Sequence, residues 1–587
     1  MLNKKKCIAG LVAVALLMGL AACNNGGAET TTKPSDDVVA TTTVDGGSEG
    51  TTVADDPTSE EGDGLTNDER GMSRFEETVT LRYPLYVDPG QKFPEGDSYD
   101  NNVYSREYLE YLNIDTEIAW EAESVEDYND KLARDILAGT LPDAFSCNMA
   151  IYSALSKANL IHDLTDVLDQ WGTDFYKGNV MADGGDSYAQ ATVDGRLFGI
   201  PKGSTNVGGY QYLFVREDWR TALDLPEPKT LEDFRTLAEA FTTQDPDGNG
   251  VNDTYGIALS NEPNETWHAS RGMFPMFGAY PSIWVEANGK VEYGSIQPEM
   301  KTGLAEIRSW YEAGWISPEF VSTSSWDIYT ANNYGMTFGE AWLLGWPLQD
   351  VIRANNWQWK PYMVPYADGV DKRLAATDAL QEVYVVNKNF EYPEALVKMN
   401  NLFMDRVMTG NYDTTIYKRD DDFNYESTAV FQPGNGIDRN RRNADIINQI
   451  IETGDESLLE NKDQEDLWGR VSKFMNGVTW EEDAGAYTSG YCDYWGNVGA
   501  ESMWGFRNKA EAENMYKFDM FKGSTTPAID EYMKQLKSDE FATINSIISG
   551  EESLDYFDEF VASWWELGGD QITAEVNEWC EWYAASR

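Results

Sequence analysis

Thr78-Val79-Thr80-Leu81-Arg82-Tyr83 alternates its side chains like a strand with two unlike faces, and the succession of elements after it decides the fold. A helical pattern runs from about Tyr104 to Leu112, a second strand reads from Asp115 to Trp120, and Tyr128, Leu132, Ile136 and Leu137 then recur at helical spacing. That helix stops at Gly139-Thr140-Leu141-Pro142-Asp143, before a short apolar strand at Ala144-Phe145. Strands alternating with helices predict an α/β lobe with a largely parallel sheet. Such sheets bind ligands at the carboxyl ends of their strands, so Ser146, Cys147 and Asn148 stand at the expected edge of a cleft.

Toward the N-terminus the texture changes. Residues 24 to about 75 are rich in Thr, Gly, Ser, Asp and Glu and hold almost no large apolar side chains, so they cannot bury enough surface to offset chain entropy. They read as a tether with a span of roughly 40 Å. Ahead of it, Lys4-Lys5-Lys6 precede an apolar run from Ile8 to Leu20, which ends in Leu20-Ala21-Ala22-Cys23. This resembles the lipobox of bacterial lipoproteins. The resemblance implies removal of residues 1–22, acylation of Cys23 and a protein lipid-anchored at the extracellular face of the cell membrane. An ordinary secretory signal with a coincidental cysteine is the alternative.

Charge and composition limit what the rest can do. With 100 acidic against 45 basic residues, the formal charge of −55 repels nucleic acid and anionic headgroups, so neither is an expected partner. The same field disfavours polyanionic ligands such as alginate or pectin fragments relative to neutral ones, unless a local basic pocket overrides it. No downstream stretch reaches eighteen uninterrupted apolar residues. His162 and His268 sit in no metal-binding motif and read as surface or packing histidines. Beyond Cys7 and Cys23, Cys147, Cys492 and Cys580 allow at most one disulfide and have no metal-ligand spacing.

About five hundred residues of folded sequence exceed one core, so at least two lobes are expected. Three stretches then carry a resemblance: Leu213-Phe214-Val215-Arg216-Glu217-Asp218-Trp219, Pro228-Lys229-Thr230-Leu231-Glu232-Asp233-Phe234, and Asp245 through Gly256. Asp194-Gly195-Arg196-Leu197-Phe198-Gly199-Ile200-Pro201, Trp310-Tyr311-Glu312-Ala313-Gly314 and Val386-Asn387-Lys388-Asn389 belong to the same ordered set, which ends in Thr573-Ala574-Glu575-Val576-Asn577-Glu578-Trp579. Together they resemble the extracellular solute-binding proteins of bacterial carbohydrate ABC importers, lipoprotein type, over everything from about residue 78. The resemblance implies a two-lobe α/β fold like that of periplasmic binding proteins (class II type), with an interlobe ligand cleft and a large helical C-terminal portion. The corresponding divisions are a leader at 1–22, lipidated Cys and linker at 23–75, the first part of lobe 1 at 76–205, the first part of lobe 2 at 206–376, and at 377–587 the return crossing, the remainder of lobe 1 and the C-terminal helical region. The hinge crossings are expected near Ile200 to Tyr212 and Thr377 to Val386.

The Asp245 loop has its own chemistry. Asp245, Asp247, Asn249, the Val251 carbonyl and Asp253 place oxygens at positions 1, 3, 5, 7 and 9 of an EF-hand-like loop, and Gly250 permits the sharp turn. Position 12 is Gly256, so the usual bidentate glutamate is missing. A structural Ca²⁺ is the favoured reading, and a metal-free Asx turn the alternative.

Aromatic residues make up 13% of the chain, which suits a sugar cleft, where flat rings meet C–H faces and carboxylates or amides meet hydroxyls. Trp267, Tyr280 and Trp342 are the leading platforms, with Glu340 as an acceptor for sugar hydroxyls. Core packing is the competing role, and for Trp267 and Tyr280 the more expected one. The family often places a tryptophan pair where this chain has Ala341-Trp342, a departure that weakens the transfer. The resemblance implies capture of an oligosaccharide or other small solute between two lobes and its delivery to ABC permease subunits, by a monomeric, non-catalytic protein. A surface glycoside hydrolase or polysaccharide lyase, or a carbohydrate-binding surface protein outside transport, remain the alternatives, although no GxSxG, HExxH or nucleophilic Cys/His arrangement supports catalysis.

Overall fold

The computed structural model describes residues 65–87, 91–193, 195–202, 210–331, 333–377, 380–410, 428–434, 438–523 and 525–585; the leader, Cys23 and most of the tether lie outside them. Strands β1 (Val79–Tyr86) and β2 (Ile114–Ala122) pair in parallel, Val79 opposite Ile114. In β1, Val79, Leu81 and Tyr83 are buried while Thr80 and Arg82 are exposed, which is the alternation the sequence displays. The helix Val103–Glu107 continues as a π-helical turn to Leu112, and Val125–Ala138 ends on left-handed Gly139. Strand β3 (Ala144–Asn148) lies beside β1, where the Asp143 amide donates to the Arg82 carbonyl at 2.8 Å.

The expectation of a largely parallel sheet needs correction. Strand β4 (Ile200–Pro201) and β3 both pair antiparallel with a strand that returns much later, Glu382–Val386. The physical reason is connectivity: a strand leaving a lobe and the strand returning to it run in opposite directions when they lie side by side.

A second sheet begins with β5 (Tyr212–Arg216), every residue of which is buried. Strand β6 (Tyr255–Ile257) runs parallel to β9 (Tyr334–Gly339), and β9 and β10 (Trp359–Tyr362) flank β5 antiparallel; between β6 and β9 in sequence lies the hairpin β7 (Trp284–Ala287) and β8 (Lys290–Tyr293). Strand β11 (Leu374–Ala376) precedes β12 (Glu382–Val386) and pairs parallel with β13 (Tyr516–Phe518).

Two large apolar clusters result. One gathers β1 to β4, β12 and the fully buried run Ala395–Phe403, and ends at Phe431. The other gathers β5 to β11 with the tail from Tyr491 to Val576. Connections between them lie between Pro201 and Tyr210, between Ala376 and Leu380, and after Phe431. The C-terminal helices therefore share the core of the second sheet.

The linker, read from composition as reaching residue 75, ends earlier among the described residues. Asn67–Gly71 is helical, with Thr66 and Glu69 forming a capping box. Lys398, 1% exposed, donates to the Arg70 carbonyl at 3.0 Å and to the Ser73 carbonyl and hydroxyl at 2.6 and 2.7 Å. Its ammonium also lies over the rings of Trp171 (4.5 Å) and Phe75 (5.1 Å). Asn401 donates to the Gly71 carbonyl, and a side chain at Gly71 would meet the Trp171 carbonyl oxygen at 2.4 Å. Composition missed this segment because its anchor is polar and backbone-directed.

Candidate ligand-binding site

Trp267 pairs its backbone with Gly339 at the end of β9, which sets it beside Glu340 and the turn Ala341–Leu344. A short helix, Ser325–Thr330, is started by the Ser324/Asp327 capping box and held to the Trp267 carbonyl by the Ser325 hydroxyl (3.3 Å). Tyr329 at its end donates to the Pro347 carbonyl at 3.1 Å. These ties gather four indoles. Trp267 is buried, and its ring centroid lies 5.2 Å from that of Trp326 and 6.4 Å from those of Trp342 and Trp346. Trp326, Trp342 and Trp346 are 52%, 40% and 50% exposed, unusual for the residue with the most apolar surface to hide, so they form an open shelf on a buried base.

Glu340 borders the shelf. It accepts from the Trp342 indole at 3.1 Å and faces Arg271 at 3.5 Å, while Arg271 donates to the Asn264 carbonyl at 3.3 Å. Burial raises the Glu340 carboxyl above its ordinary range, with Arg271 and the Trp342 indole pulling it back. Burial likewise lowers Arg271, against Glu340 and Glu265. Arg271 also lines a cavity of about 290 Å³ with Gln211, Asn264, Ser282, Thr377 and Gln381, beside the connection from β11 to β12. Gln211 donates to the Glu265 carbonyl at 3.0 Å, but its Oε1 is buried without a hydrogen-bond partner. An acceptor left unpaired beside a cavity is the kind of group a hydroxyl-bearing ligand satisfies.

The other expected residues are placed differently. Tyr280 is buried, with its hydroxyl 3.5 Å from the carbonyls of Asp371 and Arg373, and does not join the shelf. Asn148 caps the helix Met149–Lys157 through the Ile151 amide, so its carbonyl oxygen has a local task. Ser146 reaches Glu382 at 3.4 Å, and Glu382 pairs with Lys202 at 2.6 Å, which groups three polar side chains at the ends of β3, β4 and β12. Trp326, Trp346, Arg271 and Gln211 were missed. Trp326, Trp342 and Trp346 fall within 21 residues, a clustering the sequence does display, whereas nothing local marks Arg271 or Gln211. His268 is buried against Trp267, with burial pushing its pKa down to about 3, and the histidine at 162 contacts the Phe390 carbonyl. Cys147, Cys492 and Cys580 are free thiols.

In the Asp245 loop, Asp245 Oδ2 accepts from the Gly250 amide (3.0 Å), while its Oδ1 is buried without a partner. The Asn249 amide nitrogen donates to Asp247 (2.9 Å) and Asp253 (3.1 Å), and Gly250 takes a φ of +82° to close the turn. Burial raises the Asp247 carboxyl, with Asp253 and Asp245 adding to the rise. The exposed Val251 donates to the Asn249 side chain at 2.7 Å. Among the described residues no three His, Cys, Asp or Glu side chains converge as a metal centre. An unpaired carboxylate oxygen, and an amide donor held between two carboxylates, nevertheless fit a cation-binding loop closed by internal hydrogen bonds.

No protein-family model matches the chain. Its curated relatives include the polygalacturonan/rhamnogalacturonan-binding protein YtcQ of Bacillus subtilis (strain 168), 25% identical over 341 residues (54% of this chain, 64% of that protein). The lipoprotein LipO of the same organism is 26% identical over 261 residues (43% and 47%), and the fructooligosaccharide ABC transporter substrate-binding protein FusA of Streptococcus pneumoniae is 26% identical over 286 residues (45% and 52%). The chain thus spans between about half and two thirds of the length of the curated relatives it matches. Among solved structures, the alginate-binding protein AlgQ2 without calcium ion superposes with a TM-score of 0.57 at 15% identity, covering 87% of this chain and 99% of that one. FusA with kestose gives 0.56 at 17% identity (86% and 100%), and a FusA EF-hand mutant with fructo-nystose gives 0.56 at 16% identity (86% and 100%). In fold, the chain is a two-lobe α/β protein like the solute-binding proteins it superposes on.

Proposed function

We propose that the protein is the extracellular solute-binding component of a carbohydrate ABC importer, anchored through a lipidated Cys23. The observation that carries the reading is the shelf of three half-exposed indoles on buried Trp267, bordered by a carboxylate, an arginine and a cavity with an unpaired amide oxygen. Indoles would stack on the apolar faces of an oligosaccharide, while Glu340, Arg271 and Gln211 would meet its hydroxyls. Ser146, Lys202 and Glu382 lie on or beside β3, β4 and β12, whose apolar residues form the other cluster, and a ligand that touched both sets would favour the closed arrangement over the open one by its differential affinity. The closed form would then be delivered to the permease, with ATP hydrolysis left to a separate subunit.

Curated relatives named as polysaccharide- and oligosaccharide-binding proteins support the ligand class. A relative named as a lipoprotein supports the anchor, and among the described residues no helix is long and apolar enough to cross a membrane. In the Asp245 loop, Asp245, Asp247, Asn249, the Val251 carbonyl and Asp253 would hold Ca²⁺ once the Asn249 amide turns its oxygen inward. Bound there, the ion would supply structural rigidity to the turn between the helix Leu231–Thr243 and β6.

The deciding experiment is a thermal-shift screen of the full chain with Ca²⁺ against oligosaccharides, each mixture also assayed for cleaved product. Ligand at a hundredfold over Kd stabilises by about 2.7 kcal/mol. A shift with intact sugar is the expected result; released product would replace this reading with a hydrolase or lyase. Separately, Cys23→Ala is expected to move the protein from the membrane fraction to the medium.

A further inference from the structure

We infer that the site selects uncharged sugars, and that Glu340 sets this preference by holding Arg271; the inference rests on the reading of the indole shelf as the sugar site. Among the described residues, Arg271 is the one cation lining the cavity, and it is already engaged, by Glu340 at 3.5 Å and by the Asn264 carbonyl at 3.3 Å. Glu265 lies close enough to act on both Arg271 and Glu340. Asp519, the other charged residue lining the cavity, accepts from the Trp284 and Phe521 amides at 3.1 and 3.0 Å. Arg271 therefore meets Glu340 and Glu265, and Asp519 adds a third carboxylate to the cavity lining. A uronic acid would have to displace Glu340 from Arg271 or place its carboxylate near Glu340, Glu265 and Asp519 in a partly desolvated site, where like charges repel most strongly. A neutral sugar meets no such opposition, and its hydroxyls can donate to Glu340 and to the unpaired Gln211 oxygen.

This local arrangement reinforces the field of the whole chain. It also separates this protein's expected ligand from that of its relative named for polygalacturonan and rhamnogalacturonan. Selection operates here by repulsion as much as by attraction.

The test screens the full chain with Ca²⁺ against matched panels of neutral oligosaccharides and uronic-acid oligosaccharides. Binding is expected from the neutral panel; a uronic-acid oligosaccharide bound as tightly as any neutral one overturns the inference. If neither panel binds, the sugar reading of the shelf falls, and this inference with it. For the neutral sugar that binds, its C6-oxidised form is then titrated calorimetrically and is expected to bind at least about tenfold more weakly. Glu340→Gln, which removes one carboxylate and releases Arg271, is expected to narrow that gap, and the binding so gained should weaken with added salt. Glu265→Gln offers a second route to the same narrowing if Glu340→Gln does not fold. An unchanged gap in a folded variant overturns the role assigned to Glu340.

Discussion

Two groups of tryptophans in this molecule have the same chemistry and opposite settings. Trp564 is 1% exposed, stacks on Tyr293 with ring planes 10° apart and centroids 5.6 Å apart, and abuts Trp284. Below it, Glu540 accepts from Tyr293 (2.9 Å), Ser295 (2.6 Å) and Ser282 (3.1 Å), which ties the C-terminal helices to the hairpin of β7 and β8. The Trp326, Trp342 and Trp346 group keeps about half of each ring open to solvent. The contrast teaches that aromatic abundance has no functional meaning until exposure and neighbours are known: a buried indole contributes its area to folding, and an exposed one leaves its area open to a binding partner.

The largest effect should come from the buried group. Trp564→Ala removes a fully packed indole and is expected to destabilise the protein by about 3–5 kcal/mol, read as a lowered denaturation midpoint. At temperatures where the variant stays folded, sugar affinity should be unchanged. A matching loss of affinity would collapse the distinction between the two groups.

A third aromatic setting sharpens it. Trp171 and Phe75 neither fill a core nor face solvent openly but receive the Lys398 ammonium. Deleting residues 1–75, the cut that composition suggests, strips that ammonium of its three oxygen partners and of one ring. A chain beginning at residue 76 is expected to be about 2–4 kcal/mol less stable than one beginning at residue 64. Equal midpoints would mean that the clamp contributes nothing.

On the shelf the balance reverses. Trp342→Ala and Trp346→Ala are expected to weaken sugar binding by about 1–2 kcal/mol, roughly five- to thirtyfold in Kd, while stability moves by no more than about 0.5 kcal/mol. Calorimetric titration paired with thermal melts separates these terms. A large stability loss without an affinity loss would make the shelf another piece of core.

The first strands and the helix Val125–Ala138 were legible because binary patterning and turn residues are local. The direction of β12 was not, since it depends on a connection that leaves and returns across some 180 residues. The candidate shelf was half legible for a related reason. Trp342 and Glu340 lie close together in sequence, and Trp267 joins them only through its bridge to Gly339. Arg271 and Gln211 enter through a cavity wall that no local pattern encodes. Tyr280 shows the converse, an aromatic with the right composition and the wrong exposure.

The smallest effect is a pH dependence that divides along the same line. Each group holds a carboxyl raised by burial: Glu540, with Ser295, Tyr293 and Ser282 opposing the rise, and Glu340, with Arg271 and the Trp342 indole opposing it. A carboxyl whose folded pKa exceeds its ordinary 4.5 makes the folded state bind more protons than the unfolded state between those two values. Stability therefore falls as pH rises through that window and levels off above the folded pKa. Glu540→Gln, which keeps the shape and stays neutral, should flatten this fall in melting temperature. Glu340 is subject to the same linkage, so Glu340→Gln should also flatten part of the fall in melting temperature, but unlike Glu540→Gln it should in addition flatten the pH dependence of sugar affinity over the same interval. If both variants act on the melting curve alone, the carboxylate beside the exposed indoles is a packing group like its buried counterpart, and the shelf loses its separate role.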